Sequence, residues 1–261
     1  MKRSALLQLL RKHGCHFKRE GHCLRHKALD PFVLSWYLEN MVTTGQQIWN
    51  RMAVLSLFDQ TNKFGQIEGR LKIQKLTFLC ELEGIKKKTP PLYFRFFRYT
   101  LGPFSPELAN EIKVLGELGF IATTTGRLTP RGEYALGYFE TGIQASEEAR
   151  KSLKIIKDIA KHYGKRSGQQ LMSFVYGLKV PVYDLGGKEM VVKAIPAFLD
   201  ILDPAHMQDI TKAEILDKQL IRDLLEEFAI PSEDLKPGSP ARRAAVSAAI
   251  RHISLHHRLS A

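Results

Sequence analysis

The sequence predicts a mainly α fold of the α+β class, with a small β-hairpin at its middle and a helical C-terminal extension. Three observations carry this. Apolar residues recur at helical spacing through most of the chain. Ser, Thr and Pro stand where helices would begin, and Gly where they would end. One aromatic run and one Thr/Gly-rich turn mark short strands between them.

Residues 52–140 are the most legible stretch. Ala53–Asp59 reads as a short helix. Arg70–Glu83 reads as a second, with Leu71, Leu76, Leu79 and Leu82 on one face and Gly84 past its end. Lys86-Lys87-Lys88-Thr89-Pro90-Pro91 reads as a basic loop, and the aromatic run Tyr93–Tyr99 as a strand. Gly102-Pro103 turns the chain. Ser105 then caps a third helix that has Pro106 at its first position. Leu108, Ile112, Leu115 and Leu118 form the buried stripe of that helix, and Gly119 stops it. Phe120–Ala122, the Thr123–Gly126 turn and Arg127–Thr129 form a hairpin, and Thr129-Pro130 opens another helix. Helix, helix, strand, helix, hairpin is the layout of a winged-helix domain, so a winged-helix-like core is expected at 52–140.

A closer resemblance lies in Lys72-Ile73-Gln74-Lys75-Leu76-Thr77-Phe78-Leu79, followed by Tyr99-Thr100-Leu101-Gly102-Pro103-Phe104-Ser105-Pro106-Glu107-Leu108. These segments, with Leu171–Tyr176 and Val180-Pro181-Val182-Tyr183 downstream, resemble the Panacea (SocA-like) antitoxin and phage-associated proteins over residues 52–185. The shared features are a Gln-Lys-Leu helix, a Gly-Pro turn and a following helix. Here the turn reads Gly-Pro-Phe-Ser where the antitoxins more usually have Gly-Pro-Val. The resemblance implies a regulatory or antitoxin role without catalysis.

In a DNA-binding winged helix the third helix enters the major groove and offers phosphate and base contacts. On residues 106–118 the expected exposed set is Glu107, Asn110, Glu111, Lys113 and Glu117, a net −2. Such a helix is repelled by a polyanion that carries one charge per roughly 1.7 Å of axis. Glu107, Asn110, Glu111 and Glu117 are therefore assigned to protein contact, the expected partner being a small basic toxin. Lys86, Lys87, Lys88, Arg127 and Arg131 are the candidate nucleic-acid contacts, through the basic loop and the wing.

The chain of 261 residues carries a net +12, unevenly spread. Residues 1–51 hold nine Lys/Arg against three acids, a net +6, so one fifth of the chain holds half the excess. This basic balance favours nucleic acid or acidic protein surfaces as partners. Met1-Lys2-Arg3-Ser4-Ala5-Leu6-Leu7, then His13-Gly14-Cys15 and Arg19-Glu20-Gly21-His22, resemble the start of the HicA-type (YcfA-like) messenger-RNA interferase toxins. The resemblance spans about 26 residues and implies that His22 would be the catalytic histidine, an imidazole suited to moving a 2′-hydroxyl proton. The strands that complete such a toxin have no counterpart in 27–51. The expectation is a toxin relic fused to the next gene, or a start upstream of the real one at Met41 or Met52. Residues 1–51 are then poorly packed and dispensable.

Beyond residue 140 a helical extension is expected. Ser146–Tyr163 and Gly168–Gly177 read as helices, Gly186-Gly187 as a turn before Val191–Ile195, and Thr211-x-x-Glu214 as a capping box ahead of Ile215, Ile221, Leu224, Leu225 and Phe228. A last helix from Ser239-Pro240 to about His257 is basic, and its Ala244, Ala245, Ala248 and Ala249 would allow a homodimer through close packing. The expected division is 1–51, 52–140 and 141–261.

Composition narrows the function. Hydrophobic residues at 44% and charged residues at 25% exclude wholesale disorder. No run of about 18 uncharged apolar residues suggests a membrane span, so no membrane partner is expected. Cys15, Cys23 and Cys80 make no disulfide framework, which fits a cytoplasmic chain. Zinc sites want two close ligand pairs, and neither the cluster His13, Cys15, His16, His22, Cys23 and His26 nor the pair His252 and His256 supplies them. No metal and no cofactor is expected. A phosphate-binding Gly loop, a nucleophile elbow and a paired-carboxylate signature are all missing, so nothing argues for an enzyme. The expected function is a non-catalytic regulatory module acting by protein contact. The alternatives are a winged-helix DNA-binding regulator and a ribonuclease at the N-terminus.

Overall fold

The computed structural model describes residues 44–89, 92–197, 199–202, 216 and 218–230, which fall in one unit, Val42–Pro231. The expectations placed on His22, on the N-terminal His/Cys cluster and on the last helix lie outside the described residues. Among the described residues the fold is mostly helical with three two-stranded antiparallel sheets, and no helix is long and apolar enough to cross a membrane.

Helix α1 spans Thr44–Phe64, three times the length read as Ala53–Asp59. Gln47 to Phe58 are buried without interruption, so α1 is covered on every side. Its polar residues therefore sit inside, and no amphipathic stripe betrays the helix in sequence. The boundary drawn at 51/52 falls in its middle: Ile48 and Trp49 are core residues, and the Trp49 ring lies 5.7 Å from that of Phe139.

Helix α2 spans Arg70–Lys87, four residues past the expected end. Gly84 does not stop it. Lys88 does, in the left-handed conformation (φ 52°), so Lys86 and Lys87 belong to a helical last turn instead of a loop. Cations there also suit the helix dipole.

The segment after α2 departs most from expectation. Only Phe97–Tyr99 (β1) pairs as a strand, with Gly102–Phe104 (β2). Residues 92–96 run extended with no strand beside them. Buried side chains satisfy their backbone. Asn50 of α1 accepts from the Tyr93 N–H at 2.7 Å and donates to its carbonyl at 3.1 Å. Glu81 of α2 accepts from the Phe94 N–H at 2.9 Å. The Phe96 carbonyl accepts from the Ile201 N–H at 2.9 Å, and Phe78 meets the Phe96 ring edge-on at 5.4 Å. Further along, Lys75 donates to the Pro103 carbonyl at 2.7 Å. Gln74 exchanges two 2.9 Å bonds with the backbone of Ser105. Gln74, Phe78 and Glu81 lie on one helical stripe, and that stripe carries the strap 92–105.

The next elements follow the sequence closely. Ser105 caps α3 (Pro106–Glu117), accepting from the Leu108 N–H at 3.2 Å. Ile121–Ala122 (β3) and Arg127–Leu128 (β4) form the hairpin. Thr129 caps α4 (Pro130–Gly142). At Gly132 an added Cβ would stand 2.1 Å from the Phe120 carbonyl oxygen, so only glycine lets α4 close on the hairpin. Ser146 caps α5 (Glu147–Tyr163), and Ser167 with Gln170 makes a capping box for α6 (Gly168–Tyr176). Lys179–Val182 (β5) and Lys188–Val191 (β6) are a hairpin, where the sequence suggested only a turn at Gly186-Gly187. Helix α7 covers Lys218–Glu227; the capping box read at Thr211 lies outside the described residues. Helix α1 packs on α5, and α2 on α6 and α5, so the boundary read at 140/141 is crossed by the core.

Replacing Gln74 by Leu keeps the volume but leaves the buried Ser105 N–H unpartnered, while the Ser105 carbonyl keeps its bond from the Ala109 N–H at 3.2 Å. Urea denaturation is expected to show a loss of about 1–3 kcal/mol, the cost of one orphaned buried donor.

Candidate functional site

Helix α3 turns its charges inward, against expectation. Glu111 is buried and ion-paired with Arg51 of α1, both side chains nearly inaccessible. Glu107, in the first turn, is half-buried and accepts from the Ser105 hydroxyl at 2.8 Å. Burial raises the Glu107 carboxyl above the usual range although Arg95 stands near it. Asn110 is half-buried, and its amide nitrogen is buried without a partner. Glu117 is exposed and lies 3.1 Å from Lys113. The acidic surface expected on this helix thus reduces to one neutral pair. The reason is α1: its buried Arg51 demands a carboxylate, and Glu111 is the one facing it.

Glu107 belongs to an interior polar cluster. Arg95 ion-pairs with Asp200, whose N–H donates to the Asp184 carboxylate at 2.7 Å. Burial pushes the Glu81 carboxyl well up, and the Glu107 charge adds to this. This cluster joins α2, the strap and residues 199–202; Glu81 and Asp200 are buried in it, while Arg95, Glu107 and Asp184 are half-buried.

The candidate basic contacts divide as well. Lys86, Lys87 and Lys88 are exposed at the end of α2, with Lys87 paired to Glu83 at 3.1 Å. Arg127 is exposed on the hairpin. Arg131 is exposed but tied to the fold: it donates to the Leu118 carbonyl at 2.7 Å and to that of Phe228, and its guanidinium lies 5.2 Å from the Phe120 ring centre.

That clamp helps build a groove that no single segment of sequence announces. Helices α4 and α7 enclose a groove of about 870 Å³ lined by Glu133, Tyr134, Tyr138, Gln219, Leu220 and Asp223, among others. Phe228 anchors it, with the rings of Phe120, Tyr134 and Tyr138 all at 5.6–6.1 Å in edge contacts. Gly142 lets Leu220 form the floor, since a Cβ there would stand 2.4 Å from the leucine. Tyr134 is 59% exposed. The Tyr134 hydroxyl reaches Glu227 and that of Tyr138 reaches Asp223, each at 3.4 Å. Partial desolvation and the Asp223 carboxylate raise the Tyr138 hydroxyl. Among the described lining residues there is no Lys or Arg. The arrangement pairs aromatic faces with carboxylates, which is what a cationic side chain needs from a surface.

Sequence reasoning missed this groove. Tyr134 and Tyr138 are four apart on a helix whose cap was recognised, which places both on one face and is a legible signal. Their acidic partners lie some 90 residues away, beyond the reach of spacing arguments. No family model matches the chain, and no curated protein or solved structure is significantly similar to it. Among the described residues no group of His, Cys, Asp and Glu could hold a metal ion.

Substituting Arg51 by Met strands the buried Glu111 carboxylate and is expected to cost about 3–5 kcal/mol in chemical denaturation. Adding Glu111→Leu to the same chain should restore most of that loss; a double variant as unstable as the two single effects summed would contradict the pairing.

Proposed function

We propose that the chain is a non-catalytic regulatory binding module, antitoxin-like in kind, that acts by gripping a basic polypeptide in the groove between α4 and α7. The observation that carries this reading is the exposed Tyr134 ring set among Glu133, Asp223 and Glu227, with no cation among the described residues that line the groove. A net basic chain that keeps one acidic, aromatic groove is suited to a partner of its own overall sign, held locally by charge and cation–π contact. The occupant of best fit is a Lys/Arg-bearing segment of a small basic protein such as a toxin.

The resemblance to the Panacea antitoxins supports the regulatory part of the reading. Its two motifs, the Gln-Lys-Leu helix and the Gly-Pro turn, are bonded to each other here through Gln74–Ser105 and Lys75–Pro103. One structural unit therefore accounts for both motifs.

A winged-helix reading of 52–140, with duplex DNA as ligand, rests on the order α3, β3, β4 and on the exposed Arg127. Helix α3 gives it little support, because its exposed charges, Lys113 and Glu117, neutralise each other.

Binding of a fluorescent Lys/Arg-rich peptide, followed by anisotropy, separates the two. Asp223→Lys and Tyr134→Ala should each weaken it by about tenfold or more, as loss of a charge pair or a cation–π contact implies. Arg127→Ala should leave it unchanged. Tight, steeply salt-dependent binding of duplex DNA that is lost in Arg127→Ala, with no peptide binding, would replace this reading by the DNA-binding one.

A further inference from the structure

A second cluster sits at the tip of the β1–β2 hairpin, and it has the opposite sign. Lys75 is almost fully buried on α2. Of the three donors on its ammonium, one is used, toward the Pro103 carbonyl at 2.7 Å. Arg98 of β1 acts on it through charge, and no carboxylate is paired with either cation. Arg98 donates to the Tyr99 carbonyl, and its Nε is buried without a partner. The Arg98 guanidinium lies 5.5 Å from the centre of the Tyr176 ring, whose hydroxyl donates to the Thr100 carbonyl at 2.7 Å.

Gly102 brings these groups together. It adopts φ +88°, a conformation suited to glycine, and a Cβ there would stand 3.5 Å from the Tyr176 ring and 3.6 Å from the Lys75 amine. Those are ordinary contact distances, so the bare glycine leaves room for about one atom between an ammonium and an aromatic edge. Helix α6 and strand β2, the elements packed beside Lys75, carry no charged side chain at all.

A buried ammonium beside a half-buried guanidinium, with spare donors on both, is an incomplete arrangement. Buried charge is ordinarily paired, and buried donors are ordinarily bonded. The missing partner must bring negative charge and several acceptors into a small space beside a glycine. We propose that Lys75, Arg98 and Gly102 form a binding site for a single oxyanion of the sulfate or phosphate class. The acidic groove of α4 and α7 plays no part in it, so the site stands whether or not that groove binds a polypeptide.

The charge state of Lys75 gives the site a signature. Burial first, and Arg98 second, lower its amine to about 7. Because the folded value lies below the ordinary one, the ammonium is present below about pH 7 and lost above it, and the oxyanion loses its principal contact there. Sulfate is the useful probe, since it keeps its double charge throughout this range.

The test is a titration of the full chain with sodium sulfate, read by calorimetry at constant ionic strength, at about pH 6 and about pH 8. Affinity is expected to fall by up to about tenfold per pH unit above 7, the most a single proton can supply. Lys75→Met should abolish the pH dependence and most of the binding, and Arg98→Gln should weaken binding while retaining the pH dependence. Should Lys75→Met misfold, the half-buried Arg98→Gln and the pH profile of the unaltered chain decide the matter alone. A free ion and a phosphoryl group on a larger ligand share this chemistry. Equal affinities for sulfate and O-phosphoserine point to the first, and tighter phosphoserine binding to the second. No saturable sulfate binding, or binding that neither substitution nor pH alters, would overturn the proposal.

Discussion

Buried polar side chains standing in for a missing strand are the constraint on which this fold depends. The strap 92–105 must cross the interior face of α1 and α2, and its first half has no neighbouring strand. An extended backbone without partners would leave its N–H and C=O groups orphaned in a dry environment, at a cost the marginal stability of a domain cannot absorb. Asn50, Gln74, Lys75 and Glu81 meet those groups one by one. Everything outward follows from that placement: the Gly-Pro hairpin is fixed at one end, the cap of α3 at the other, and α3 in turn sets the hairpin on which α4 closes.

The same constraint explains the charge distribution. Arg51 lies on a helix with no solvent face, so a carboxylate has to be brought to it, and α3 supplies Glu111. Glu107 is drawn toward Arg95 in the same way, against the repulsion of Asp200. The acids that look like a surface feature on a helical wheel are spent on interior pairs. Among the described residues, α3 carries one neutral surface pair, the end of α2 an exposed lysine cluster, and α4 with α7 an acidic aromatic groove. That distribution favours contact with a polypeptide over groove readout of a duplex.

Legibility followed local chemistry. The capped helices α3, α4 and α5 were readable because Ser105, Thr129 and Ser146 announce them, and α3 and α5 also show clear apolar stripes. The hairpin at 121–128 was readable from its Thr/Gly turn. Helix α1 was not, because complete burial erases the polar face by which a helix is recognised. The strand expected over Tyr93–Tyr99 shrank to three residues, because aromatic content reports a buried extended backbone and not what pairs with it. Of the candidate site, Arg127 and the lysines were found exposed as expected, Glu111 and Arg131 were found committed to internal bonds, and the groove was invisible because its two walls are far apart in the chain.

The central claim is that this scaffold presents a polypeptide-binding groove and not a DNA-reading helix. Hydrogen–deuterium exchange with and without a saturating Lys/Arg-rich peptide tests it directly. The account predicts slowed exchange in Pro130–Gly142 and Lys218–Glu227, with Pro106–Glu117 unchanged. Protection confined to Pro106–Glu117 and the Ile121–Leu128 hairpin, appearing on addition of duplex DNA and not of peptide, would contradict it.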